Sequence, residues 1–355
     1  MHFSWRFFLL MPFSFIYGII ISVRNFLYDV GILTSHEFDV PVVSVGNLSM
    51  GGTGKTPCVE FIIDNFKDKR RIAILSRGYK RTTTGFVLAD GNSTAQTIGD
   101  EPFQILKKYP EIIVAVDENR KRGIDNLLKI NPKPEIILLD DAFQHRRVKP
   151  GMQILLTDFS KPFTNDSILP GGNLREFRLG AKRANVIIVT KCPQEIQPIE
   201  LRVFTKKIKA LRHQNLYFAS QVYKEITAVF PYSQMRNFDM EKIKIEKPHI
   251  LLVSGIANPK SLVEYVKTLT DKVETITFPD HHAFTPKDIA TIKDKFEAIA
   301  NNNKIILTTE KDAARLPKFY PEELKNYTFA LPVRMQILNK QEQEFVDLIT
   351  DELRR

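Results

Sequence analysis

The chain has 355 residues, enough for two domains that each bury a core. Its 43% apolar and 26% charged content is that of a folded protein and excludes a disordered chain. Fifty-one basic side chains against 41 acidic ones give +10, an excess suited to nucleic acid, an anionic membrane surface or a phosphorylated substrate, while only two distant cysteines, Cys58 and Cys192, argue against a disulfide framework and fit a reducing cytoplasm.

The first element is apolar. Phe7–Val23 carries no charge and lies between Arg6 and Arg24. Seventeen residues is the lower limit for crossing a bilayer, and Pro12 and Gly18 weaken a straight helix. No small-x-small cleavage site follows, and an amphipathic pattern continues to Tyr28, which argues against a signal peptide. A buried core helix is the alternative. The expected role of residues 1–30 is a monotopic or shallowly inserted anchor, with basic residues facing anionic headgroups.

Next comes a β-type run, Pro41–Val45, then Ser49-Met50-Gly51-Gly52-Thr53-Gly54-Lys55-Thr56, then a helix-like stretch to Phe66. Strand, glycine-rich loop and helix in that order make a nucleotide phosphate cradle. Glycines let the backbone curl so that its N–H groups point at phosphate oxygens, Lys55 reaches the β/γ-phosphates, and the Thr56 hydroxyl is placed to ligate Mg²⁺. Ser49 stands where the general GxxxxGK[ST] template has glycine.

Strand-like runs then alternate with helical ones. Arg71–Leu75, Glu111–Val116, Glu135–Asp140, Met152–Asp158 and Asn185–Lys191 are continuously apolar, which predicts a parallel sheet buried on both faces. Helical segments fall near Glu101–Lys108, Asn119–Ile130 and Glu200–Arg212. The fold class is α/β: a three-layer α/β/α nucleotide domain over 31–215, with its ligand at the carboxyl ends of the strands. Residues 216–247, including Leu216–Ile226 and Lys242–Glu246, read as an extended linker rather than core strands. A second, smaller α/β pattern over 248–335 passes through His249–Ser254, Pro259–Thr268 and Lys304–Thr308, and 336–355 reads as a C-terminal amphipathic helix.

Chemistry-bearing residues punctuate this frame. Arg77 follows one strand and Arg120 opens a helix; Arg175 follows Leu169-Pro-Gly-Gly-Asn173. On loops at the nucleotide end they would bind phosphate bidentately, although solvated surface arginines are the common case. Asp100 in Gly99-Asp-Glu101-Pro either caps a helix or accepts a hydroxyl proton. Ile136–Asp141 is an apolar run ending in two carboxylates, the expected Mg²⁺ holders beside Thr56, and His145 follows them closely. Phe278-Pro-Asp280-His281-His282-Ala-Phe284 is a titratable loop that lacks further ligands for a zinc site. There Asp280 could fix a His281 tautomer, and His281 could poise a carboxylate of the first domain.

In these motifs the chain resembles the tetraacyldisaccharide 4′-kinase family. The matching pieces are GNLSMGGTGKTP from Gly46, LSRGYKR from Leu75, GDEP from Gly99, LLDDAFQHR from Leu138, LPGGNLRE from Leu169, FPDHHAF from Phe278 and TEKDAAR from Thr309. The resemblance implies ATP- and Mg²⁺-dependent phosphorylation of the 4′-hydroxyl of an acylated glucosamine disaccharide 1-phosphate at the cytoplasmic face of the inner membrane, by two α/β domains joined by a two-stranded linker. By position it assigns Asp100 as base, His281 as its partner, Lys55 and the loop Ser49–Thr56 to the phosphates, and Thr56, Asp140, Asp141 and Glu101 to the metal. Arg120 and Arg175 match the family's phosphate-contacting arginines, and with Arg77, His145 and Asn173 they make up the expected substrate residues. A monomer is expected. The family tolerates a hydroxyl residue at position 49, while Gly172 and Asn173 depart from common family residues. Glu310, Lys311 and Asp312 are left either closing over the nucleotide or capping a helix.

Two other classes compete. A membrane-positioning ATPase of the KGGxGK[ST] type needs a lysine where Met50 stands and has no use for FPDHHAF. A nucleic-acid ATPase would show a basic–aromatic stripe, which is missing, so no nucleic-acid partner is expected.

Overall fold

A computed structural model describes residues 5–230, 238–280, 282–316 and 319–354. The chain divides into a first unit, Met1–Val222 with Arg334–Arg355, and a second, Tyr223–Val333.

The first unit opens with helix α1 (Trp5–Asp29), which continues unbroken through Pro12. Strand β1 (Val42–Asn47) leads into helix α2 (Lys55–Phe66), then β2 (Ile72–Ser76), a short β3 (Val87–Leu88) and the helices α3 (Ala95–Ile98) and α4 (Asp100–Lys108). There follow β4 (Ile113–Val116), α5 (Arg120–Leu127), β5 (Ile136–Asp140), β6 (Met152–Asp158), β7 (Val186–Cys192), α6 (Pro198–Ile208) and β8 (Asn215–Tyr223).

In the second unit come β9 (Thr227–Ala228), α7 (Met240–Glu246), β10 (His249–Ser254), α8 (Lys260–Leu269), β11 (Val273–Thr277), α9 (Pro286–Ala298), β12 (Lys304–Thr309), α10 (Glu310–Ala313), α11 (Glu322–Lys325) and β13 (Thr328–Leu331). Its sheet order is β11-β10-β12-β13-β9, parallel except for β9. The chain then returns to the first unit through β14 (Val333–Ile337) and α12 (Glu342–Glu352).

The first sheet has the order β14-β8-β7-β6-β1-β5-β2-β4-β3. From β8 to β4 neighbouring strands run parallel, and β3 is an antiparallel edge. One face packs Val43, Val45, Ile74 and Leu138 against Ile62 of α2 and Phe345 of α12; the other packs Ala73, Leu75 and Leu139 against Ile124 and Leu127 of α5. Burial on both sides is why these strands read as unbroken apolar runs.

Two expectations are corrected. Leu216–Ile226 is not a bare connector: β8 pairs with β7 and buries Tyr217, Phe218, Ala219 and Ser220. Lys242–Glu246 is helical; its alternating Ile243 and Ile245 mimic a strand, but Asp239 caps Lys242 N–H at 2.8 Å and only Ile243 is buried.

Among the described residues nothing covers the outer face of α1. Leu9, Phe13, Phe15, Ile16, Ile20 and Phe26 are exposed, and the helix is apolar and long enough, by length and composition, to cross a membrane. The core-helix alternative fails on that exposure. Its other side is tied down by polar contacts: Tyr17 hydroxyl to Arg175 O (2.9 Å), Arg24 to Gln144 O (2.9 Å) and Asn25 to Glu176 (3.0 Å).

Candidate phosphate-binding site

The carboxyl ends of β1, β5, β2, β6 and β7 converge on one loop. Asn47, the last residue of β1, is fully buried, and its side-chain amide donates to Thr53 Oγ1 at 2.8 Å and Gly51 O at 3.4 Å, folding the loop back over the strand. Thr53 N–H closes a turn on Gly51 O at 3.0 Å. Gly54 then enters α2 with φ +84°, a left-handed conformation that glycine adopts at no steric cost. Among the described residues no side chain caps α2, so its first-turn N–H groups are placed for a ligand, and an anion there gains from the helix dipole. The loop is also held from outside: Met50 N–H donates to Asn173 O at 2.8 Å, and Ser49 bridges to Leu174.

In register, Val45 lies opposite Asp140, so β5 delivers its terminal carboxylates beside the loop. Gly46 lets the segment after β5 cross: a Cβ there would sit 2.7 Å from Phe143 Cβ and 2.8 Å from its main-chain nitrogen. Asp140 is buried. Ser76 Oγ lies 3.4 Å from its Oδ2, and Oδ1 has no hydrogen-bond partner among the described residues. Burial first, then the charges of Glu101 and Asp141, raise its pKa to about 7. Such an acid calls for a cation. Among the described residues no three acid, imidazole or thiol groups cluster as a metal site, so a divalent ion there would need donors from elsewhere, as Mg²⁺ does when it takes phosphate oxygens and water.

Asp141 differs from its neighbour. It sits at φ +48°, gripped by Arg175 at 2.8 and 3.1 Å, with Lys55 Nζ 3.8 Å away. Burial alone would raise its pKa, but Lys55 and then Arg175 outweigh it and hold the carboxyl below its usual range. Both Asp141 oxygens are thus engaged by arginine, while Asp140 keeps one unclaimed.

Arg120 is almost wholly buried at the start of α5. It donates to the carbonyls of Asp117 and, at 3.0 Å, Asp140, and its Nε has no partner among the described residues. Burial lowers its pKa to about 10. His145 is pushed down to about 4 by burial and then by Arg120, Arg77 and Arg24, so its imidazole is neutral at pH 7. Arg120 and His145 line a cavity of about 420 Å³ with Arg24, Tyr28, Arg146 and Arg147.

The remaining predicted residues fall as follows. Asp100 and Glu101 open α4 directly after Gly99. Arg77 is exposed just past β2. The Asn173 side chain donates to Asp166 at 3.0 Å, so its part in the site is to carry the carbonyl that holds Met50. His281 lies outside the described residues. Within the second unit His282 bonds Asp288 at 2.9 Å and stacks on Phe278, while Lys311 bonds Asp280 at 2.9 Å. Asp312 is buried; it accepts from Gly255 N–H at 2.9 Å and Thr309 Oγ1 at 2.7 Å, which makes it a joint between β10 and α10.

Four residues at the loop escaped the sequence reading: Asn47, Asp158, Thr190 and Lys191. The Thr190 hydroxyl lies 2.8 Å from Thr53 O, and Lys191 Nζ donates to Gly52 O and pairs with Asp158 at 2.9 Å. Their signal was the one that revealed Asp140, polar residues ending apolar strands.

A family described as tetraacyldisaccharide-1-P 4′-kinase matches residues 6–354. Among curated relatives, the tetraacyldisaccharide 4′-kinase of Bacteroides thetaiotaomicron is 47% identical over 346 residues, covering 95% of this chain and 90% of the relative. That of Flavobacterium psychrophilum is 48% identical over 339 residues, covering 94% and 93%. The solved "apo" form of LpxK from Aquifex aeolicus in complex with ATP is 29% identical and superposes with a TM-score of 0.74, covering 98% of this chain and 99% of that one. With a buried aspartate behind a glycine-rich loop, and likeness running nearly end to end, the chain belongs to the tetraacyldisaccharide-1-P 4′-kinase family.

Proposed function

We propose that the chain transfers the γ-phosphoryl group of ATP to the 4′-hydroxyl of an acylated glucosamine disaccharide 1-phosphate, acting as a monomer at the cytoplasmic face of the inner membrane. The observation that carries this reading is Asp140: a carboxylate with one oxygen unclaimed among the described residues, raised by burial and then by neighbouring acids, placed by β-sheet register beside the glycine-rich loop.

The loop N–H groups and Lys55 receive the β- and γ-phosphates, and Lys55 is already drawn toward the site by Asp141. Thr56 and Asp140, with the Glu101 charge nearby, would hold Mg²⁺, and the ion would supply charge neutralisation at the phosphates. Arg175 orients Asp141 and fixes the turn that carries Lys55's partner. Arg120 pins the Asp140 carbonyl and so fixes where β5 ends. Asp100, at the head of α4, takes the proton of the acceptor hydroxyl; the family resemblance alone assigns that role, as it alone names His281 its partner. Phosphoryl transfer passes through a loose transition state, so holding donor, acceptor and charges in line does most of the catalysis. The arginine-lined cavity suits the acceptor's own phosphate, and the uncovered apolar face of α1 suits a substrate that stays in the bilayer.

The decisive assay incubates the protein with detergent, the acylated disaccharide 1-phosphate and γ-labelled ATP. Label is expected in the lipid product, and Lys55→Met should remove it. Release of labelled phosphate with none in lipid would overturn the reading.

A further inference from the structure

The phosphate loop is held on its outer side by residues the mechanism above does not use. β6 and β7 are paired in parallel with Asp158 opposite Thr190, so the ends of both strands arrive beside the loop together. The buried Thr190 hydroxyl lies 2.8 Å from Thr53 O and 3.2 Å from Thr157 O. One residue on, Lys191 adopts φ +56°, a conformation that residues with side chains seldom take. The turn sends its ammonium group to Gly52 O, and Asp158 pairs with that group at 2.9 Å. Ser160, through its hydroxyl and its N–H, holds Asp158 in turn.

A trans peptide directs its N–H opposite its C=O. Anchoring the Gly52 and Thr53 carbonyls on the β6–β7 side therefore turns the N–H groups of Thr53 and Gly54 away from it. Thr53 N–H is taken up by the turn to Gly51 O, leaving the Gly54 N–H to join those of the α2 first turn. Gly51 and Gly52 are exposed, with nothing among the described residues within 4 Å of where a Cβ would stand. A loop so open and so rich in glycine loses much conformational freedom when it closes on a ligand unless something fixes it beforehand.

We propose that Lys191, seated by Asp158 and assisted by Thr190, is a positioning residue that preorganises the phosphate loop for the nucleotide. It binds loop carbonyls rather than phosphate, so its contribution falls on nucleotide affinity and not on the acceptor. This rests on the reading that the loop binds ATP.

The test is Lys191→Met, with Lys191→Arg as the conservative partner, in steady-state assays that vary ATP and acceptor separately. Losing one charge-assisted hydrogen bond should raise the KM for ATP about tenfold. The KM for acceptor should stay unchanged and kcat within about twofold, and Lys191→Arg should return the ATP value to within about threefold of the parent. Asp158→Asn, which leaves the lysine present but unseated, should raise the ATP KM by roughly threefold. An unchanged ATP KM in Lys191→Met or in Asp158→Asn overturns the inference, as does a parallel rise in both KM values. Failure of the parent protein to bind ATP would instead overturn the reading of the loop itself.

Discussion

Asp140 and Asp141 are adjacent residues of one type held in opposite electrostatic states. Burial and acidic neighbours raise the first to about 7; Lys55 and Arg175 hold the second down. The consequence for Asp140 has a definite sign. Its folded pKa lies above the ordinary value near 3.9, so between about pH 4 and 7 the folded state binds more protons than the unfolded one. Stability from this group is complete below pH 4 and is lost as pH rises through 7. Asp140→Asn removes that loss. It should melt higher than the parent at pH 8 without magnesium, match it near pH 4, and gain less than the parent from Mg²⁺-ATP while losing phosphoryl transfer. A lower melting temperature at pH 8 would contradict this. Asp100→Ala should cost on the order of 10²–10⁴ in kcat with the nucleotide KM little changed, as expected for loss of a general base. Near-normal kcat would remove Asp100 from that role. Sequence showed the carboxylate pair because both residues end an apolar run; it did not show that Arg175 claims Asp141, because that pairing spans 34 positions.

At the scale of elements, legibility followed burial. β1, β2, β4, β5, β6 and β7 are covered on both faces and announced themselves as apolar runs, whereas β11 buries only Ile276 and left no such signature. α7 was misread because two isoleucines two apart fit a strand as well as a short capped helix. The crossing of β1 by the segment after β5 was invisible, since Gly46 matters only through Phe143, nearly a hundred residues away. Gly46→Ala should therefore destabilise the protein by about 1–3 kcal/mol, the usual cost of forcing a methyl group into a packed site. Urea denaturation measures this, and a change below about 0.5 kcal/mol would show that Phe143 gives way freely.

Across the whole molecule, two α/β units were legible from alternating patterns, but the return of the chain to the first unit was not: α12 buries Phe345 and Ile349 there, beside Phe61 of α2 and Tyr217 of β8. The anchor reading of α1 has a direct check. Ile16 and Ile20 are 56% and 60% exposed, so replacing both by glutamate should leave the melting temperature unchanged and abolish sedimentation with anionic vesicles. Retained sedimentation would place the lipid contact elsewhere.

The Tyr17 hydroxyl of α1 holds the main-chain carbonyl of the residue whose guanidinium clamps Asp141. Arg175 is thus a hinge pin with one end on the greasy rod and the other on the carboxylate beside Lys55. If that rod lies in lipid as proposed, a tilt of it reaches Asp141 through this peptide group as well as through the Arg24 and Asn25 ties.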